Sequence, residues 1–122
     1  MSKGLYYFAH PYSAYNKDGS RNSRGQEANF NLCCVRSALL ILKGYNIYSP
    51  IAHSHPIQMG HPDLQDSIWY DLDNEVIDKT KWDGIIMSPD WDKSLGCIDE
   101  KERMENQGYP VLYYDDIMFG WK

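Results

Sequence analysis

Gly84-Ile-Ile-Met-Ser88, Pro89-Asp-Trp-Asp-Lys-Ser94 and Leu95-Gly-Cys-Ile-Asp-Glu100 follow one another without a break. They read as a short apolar segment, a polar loop and the opening of a helix. A compact apolar run bounded by Gly and Pro is the pattern of a buried strand. Ser94 stands where a helix N-cap belongs, since its hydroxyl can accept from a free N–H of the first turn. Gly108 is placed to end the helix that follows.

The same alternation continues outward in both directions. Leu5-Tyr-Tyr-Phe-Ala9 reads as a first buried strand, followed by a polar loop from Ser13 to Ser23. Gln26 to Lys43 reads as a helix, with Phe30, Cys33 or Cys34, Ser37 and Ile41 on its inner face and Lys43-Gly44 as its stop. Asn46-Ile-Tyr-Ser49 is a second strand ended by Pro50. A second helix is expected from about Gln65 to Lys79, with Ile68, Leu72 and Val76 four apart, and Val111 to Tyr114 is a fourth strand. Strands alternating with helices predict a single α/β domain around a central parallel sheet of four to five strands flanked by helices. In such sheets ligands bind beyond the carboxyl ends of the strands. The segments in those positions are the chemically rich ones: Ala9 to Ser13, Ser49 to Pro56 and Ser88 to Ser94. The opposite ends, at Lys43 to Tyr45, Thr80 to Trp82 and Gln107 to Tyr109, are plain.

Composition narrows the function classes. The chain has 122 residues, 43% of them hydrophobic and 24% charged, which suits one folded domain with little surface to spare. A net charge of -5 argues against a duplex nucleic acid as partner, because gripping a phosphate backbone takes many Lys and Arg contacts. Cys33, Cys34 and Cys97 lack metal-ligand spacing and form no even disulfide framework, so they are expected to be reduced and packed. No apolar run approaches membrane-spanning length, so no membrane partner is expected. Met1-Ser-Lys-Gly leads straight into a strand-like segment, from which the absence of a signal peptide and a cytoplasmic location are expected.

Several groups could carry chemistry. Ser94 and Gly96 open a helix whose free N–H groups favour an anion such as phosphate, with Gly96 allowing close approach. Glu100, six residues beyond Ser94, can face the same crevice, or it can be a solvated helix-surface acid. Asp71 and Asp73 lie two apart on a helix, so they point in different directions and at most one faces a site. A second carboxylate near Glu100 would suit acid–base work on a glycosidic bond. His53 and His55 form an H-x-H pair with His61 nearby, but they lack a convincing third metal ligand, so loop packing or substrate contact is expected and no metal. No cofactor is expected either. Tyr6 and Tyr7 must point to opposite faces of their strand.

Taken in order, these segments resemble the nucleoside 2-deoxyribosyltransferase superfamily. The resemblance is to its DUF1937 branch and to the 2'-deoxynucleoside 5'-monophosphate N-glycosidases. It rests on Tyr7-Phe-Ala-His-Pro-Tyr-Ser13, on Ser49-Pro-Ile-Ala-His-Ser-His-Pro-Ile57, on Trp69 to Asp73 and on Pro89 to Glu100, and it covers nearly the whole chain. It implies a Rossmann-like or flavodoxin-like fold and cleavage of the N-glycosidic bond of a (deoxy)nucleoside 5'-monophosphate. Glu100 matches the nucleophile, Tyr7 the tyrosine beside it, Ser94 the phosphate-contacting serine and Asp73 the acid at the leaving base, with Asp71 as rival. His10, Ser13, His53 and His55 fall in substrate-facing segments. Arg24 or Arg21 is the candidate basic residue of the first loop. The resemblance further implies a homodimer in which a neighbouring subunit helps close the site. After Glu100 the run Lys101-Glu-Arg-Met-Glu-Asn106 is more charged than the superfamily's small-residue helix. Base exchange on free nucleosides, and nucleotide binding without catalysis, are the alternative functions.

Overall fold

The computed structural model describes residues 4–120, so Met1, which entered the localisation reading, lies outside the described residues. The order of elements is β1 (Tyr6–Ala9), α1 (Ser23–Leu42), β2 (Ile47–Tyr48), α2 (Pro50–Gly60), α3 (Asp66–Lys79), β3 (Gly84–Met87), a 3-10 turn (Trp91–Lys93), α4 (Leu95–Asn106), β4 (Val111–Tyr113) and α5 (Tyr114–Phe119). The four strands form one sheet in the order β2-β1-β3-β4, and every pairing is parallel. This is the α/β architecture expected from the alternation, of the Rossmann or flavodoxin type. The chain turns to one side of β1 to make β2 and to the other to make β3. The crevice therefore opens at the carboxyl ends of β1 and β3, where a strand order reverses.

Strand pleat divides the core in two. Tyr7, Ala9, Ile85 and Met87 point to one face, where they meet Ile77 of α3, Trp82, and Cys97 and Met104 of α4. Phe8 and Ile86 point to the other, against Cys33 and Leu40 of α1, Ile51 of α2 and Tyr114 at the head of α5. The sheet is covered on both faces, which explains why its central strands read as unbroken apolar runs.

The helices depart from the sequence reading in instructive places. The buried residues of α1 are Gln26, Cys33, Ser37 and Leu40, so Leu40 occupies the core place expected of Ile41, which is exposed. Four successive apolar residues, Leu39 to Leu42, leave the inner one ambiguous by pattern alone. The segment Ser49 to Pro56, expected as a loop, is mostly helix. Ser49 Oγ accepts from Ala52 N at 3.2 Å, and Pro50 takes the first helical position, where a missing N–H costs nothing. Tyr114 begins α5 rather than ending β4. Gly44 and Gly108, with φ of 102° and 86°, stop α1 and α4 in a conformation that favours glycine. Among the described residues no helix is long and apolar enough to cross a membrane.

Candidate functional site

A cavity of about 490 Å³ lies beyond the carboxyl ends of β1 and β3. Its walls come from the loop after β1, the start of α2, one face of α3 and the first turns of α4. The α3 wall follows from helical spacing: Asp66, Trp69, Tyr70, Asp73 and Asn74 all line the cavity, and Ile77 continues the same face into the core. Asp71, two residues from Asp73, is exposed and does not line it. Of the two acids, Asp73 is thus the one that faces the cavity.

The floor carries the chemistry. Tyr7 is fully buried on β1, and its hydroxyl donates to Glu100 Oε2 on α4. The helix start is built as expected: Ser94 Oγ accepts from Cys97 N at 3.3 Å, which sets α4 pointing away from the crevice and places Glu100 one and a half turns in. Gly96 has open space on the cavity side, since an added Cβ would meet only Ser94 Oγ at 3.9 Å. Burial raises both acids. Asp73 is pushed up to about 7 by desolvation. Glu100 is pushed up to about 8, chiefly by desolvation and further by the charges of Asp73 and Asp99, with Tyr7's hydrogen bond acting in the opposite direction. Two interacting carboxyls with such values titrate as a pair and hold about one proton between them near neutrality. Tyr7 itself is held well above the usual phenol range by burial and by Glu100, so it remains a donor. Cys97, three residues before Glu100, is a buried thiol pushed up to about 12 and stays neutral.

The structure gathers some of the sequence-predicted residues and disperses others. His10, Ser13, Asp73, Ser94, Gly96 and Glu100 line the cavity, and Tyr7 reaches it through Glu100. His53 is exposed on α2 and His55 is buried, so the H-x-H pair does not converge. His55 instead bonds Tyr12 on one side and the exposed Glu27 on the other. Arg24 is exposed and outside the cavity lining, and Arg21 pairs with Asp66 at 2.5 Å on its rim. His10 is also committed: its Nδ1 donates to Pro11 O at 2.8 Å, leaving Nε2 to accept from Arg36 at 3.0 Å. Burial lowers its affinity for a second proton. Residues that sequence reasoning did not single out include Tyr12 and Lys93. Lys93 lines the cavity beside Ser94 and is an obvious cation at the head of α4. Its position in the polar loop after β3 was the available signal.

Trp69 forms an aromatic wall with a fixed orientation. Its indole N–H donates to Gln58 Oε1 at 2.5 Å, and the buried Gln58 amide donates in turn to Pro62 O and Leu64 O at 3.0 and 3.1 Å. Among the described residues no group of three His, Cys, Asp or Glu is arranged to hold a metal ion. Free thiols remain at Cys33, Cys34 and Cys97, with Cys34 only half-buried.

Comparison with known proteins adds one match. The model of a family described as "Domain of unknown function (DUF1937)" matches residues 4–116, which takes in the whole sheet and every cavity-lining residue. The comparison with curated proteins found no match.

Proposed function

The chain belongs to the DUF1937 family, and from that premise we propose that it cleaves the N-glycosidic bond of a (deoxy)nucleoside 5'-monophosphate, with Glu100 as the covalent nucleophile. The observation that carries the reading is the pairing of a half-buried carboxyl, bonded by a buried tyrosine, with a second raised carboxyl on the same cavity. Retaining glycosidic chemistry needs one carboxylate to attack and one carboxylic acid to protonate the leaving group. A pair holding a single proton meets both needs in the form with the proton on Asp73; this is the minor form, because Glu100 is raised further than Asp73, and the hydrogen bond from Tyr7 acts to favour it.

In this reading a Glu100 oxygen attacks the anomeric carbon as the bond to the base breaks, and Asp73 gives its proton to the departing base. The product is a glycosyl ester on Glu100. Water then attacks the same carbon, Asp73 takes the water proton, and Glu100 leaves as a carboxylate, so each group returns to its starting state. The 5'-phosphate is assigned to the head of α4, where the Ser94 hydroxyl, the first-turn N–H groups and Lys93 offer donors and positive charge. The base is assigned to the Trp69 wall, because a flat heterocycle stacks well on an immobilised indole.

The protein is further proposed to act as a homodimer. Leu32, Val35, Leu39 and Leu42 are exposed along one stripe of α1 at alternating spacings of three and four residues. That is the seam a partner helix covers in knobs-into-holes packing. The experiment that tests the activity is incubation with a panel of ribo- and deoxynucleoside monophosphates and the free nucleosides, with free base as the readout. Release from monophosphates supports the proposal. Equal release from free nucleosides, or base exchange with an added second base, moves the reading to a deoxyribosyltransferase. Tight nucleotide binding with no release leaves a binding module.

A further inference from the structure

Glu27, His55 and Tyr12 form a chain of hydrogen bonds that ends at the cavity wall. His55 Nε2 lies 2.7 Å from Glu27 Oε2, and His55 Nδ1 lies 2.7 Å from the Tyr12 hydroxyl. The imidazole is 3% exposed and is clamped against Phe30, ring centroids 4.3 Å apart. Tyr12 lines the cavity and His55 does not. The backbone of Tyr12 is fixed as well, its carbonyl accepting from Asn29 Nδ2 at 3.0 Å. The glycosidic mechanism uses none of these residues.

The direction of the chain follows from donor chemistry. A carboxylate can only accept, so Nε2 of the imidazole bears the hydrogen. With the ring neutral, Nδ1 accepts, and in that form the Tyr12 hydroxyl spends its only hydrogen on His55. What Tyr12 has left for a ligand is oxygen lone pairs. We propose that Tyr12 is a specificity-determining residue, oriented by His55 and Glu27 as a hydrogen-bond acceptor, and that it selects ligands presenting an N–H donor such as the exocyclic amine of a nucleobase. This rests on the nucleotide reading above and deepens it. A base bearing a carbonyl at the same place would set oxygen against oxygen, with no hydrogen between them.

The same logic supplies a test that a merely structural role cannot mimic. Glu27 is exposed, so a lysine is tolerated there, and its ammonium can only donate. In Glu27→Lys the imidazole must carry its hydrogen on Nδ1, which donates to Tyr12 and frees the phenolic hydrogen for the ligand. The measurement is calorimetric titration of Glu100→Gln protein, which prevents turnover, with cytidine against uridine monophosphate and adenosine against inosine monophosphate. The parent is expected to favour the amino member of each pair by about 10-fold, as one well-placed hydrogen bond allows. Adding Tyr12→Phe should bring the ratio near unity with the fold intact, since the ring is kept. Adding Glu27→Lys should reverse the preference. An amino preference unchanged in Tyr12→Phe overturns the assignment while leaving the nucleotide reading in place. Failure of every nucleotide to bind overturns both.

Discussion

Glu100 and Asp73 owe their chemistry to burial, and the consequences are measurable one residue at a time. The proposed mechanism requires one proton in the pair, so kcat/KM should follow a narrow bell with limbs near the raised values of about 7 and about 8, to be read from a pH–rate profile. Loss of both protons disarms the acid, and gain of a second quenches the nucleophile. Asp73→Asn should remove the alkaline limb together with most of the turnover. Tyr7→Phe deletes a charge-assisted bond and should lower kcat roughly 10- to 100-fold while KM changes little, as steady-state kinetics can check. Glu100 was legible in the sequence because it follows a strand, a polar loop and a capping serine in a fixed order. Its bond to Tyr7 was legible only through the family resemblance, since 93 residues separate the two and the parallel pairing of β1 with β3 is what brings them together. His55 was read as a substrate-facing residue, whereas it is buried behind the cavity wall and bonded to Tyr12 and Glu27. An H-x-H pair on an assumed loop suggests convergence, whereas on a helix the two rings point apart.

At the scale of elements, the strand–loop–helix unit from β3 to α4 positions both ends of the proposed substrate, and its glycines can be tested separately. Gly96 borders open cavity space, so Gly96→Val should fold normally yet weaken nucleotide binding by filling the approach to the helix head, visible as a raised KM or Kd. Gly84 is a packing glycine. An added Cβ would sit 2.8 Å from Pro110 O and 3.1 Å from the Leu112 side chain, so Gly84→Ala should push β4 from β3 and destabilise the fold by about 1–3 kcal/mol in a denaturant titration. The elements that pattern reading missed, α2 and α5, are short and begin abruptly. Pro50 and Pro56 lie in α2, and both mimic loop chemistry. Pro50 is harmless at the first position, while Pro56 leaves α2 one bond short within its length. Tyr114 continues an apolar strand pattern in sequence even though the backbone has already turned into a helix.

For the whole molecule, the raised acids couple stability to pH. Glu100 has a folded value above its unfolded one near 4.5, so the folded state binds more protons than the unfolded state between about pH 4.5 and about pH 8. Stability contributed by this group is therefore greatest below that window and is lost as pH rises through it. Glu100→Gln removes the penalty, so its Tm should exceed that of the wild type, with a gap that widens from pH 5 to pH 9 in thermal melts. The α1 stripe makes a separate claim at this scale. Leu39→Arg should convert a dimer to a monomer in sedimentation, while a wild type already monomeric and fully active would remove the dimer proposal. The sheet itself was legible from alternation because its central strands are covered on both faces and leave unmistakable apolar runs. The exposed apolar side of α1 was not, because four successive apolar residues hide which of them face inward.

The proposed mechanism turns on a covalent bond to one carboxylate, and mass spectrometry of the trapped protein tests it most directly. A 2'-deoxy-2'-fluoro nucleoside 5'-monophosphate has an electron-poor sugar that slows formation and breakdown of the ester alike. Incubation with the wild type, followed by acid quench and peptide mapping, should find the mass of the sugar phosphate on the peptide bearing Glu100, and none on Glu100→Gln. Full turnover of an ordinary substrate by Glu100→Gln, or an adduct residing on Asp73 instead, would contradict the account.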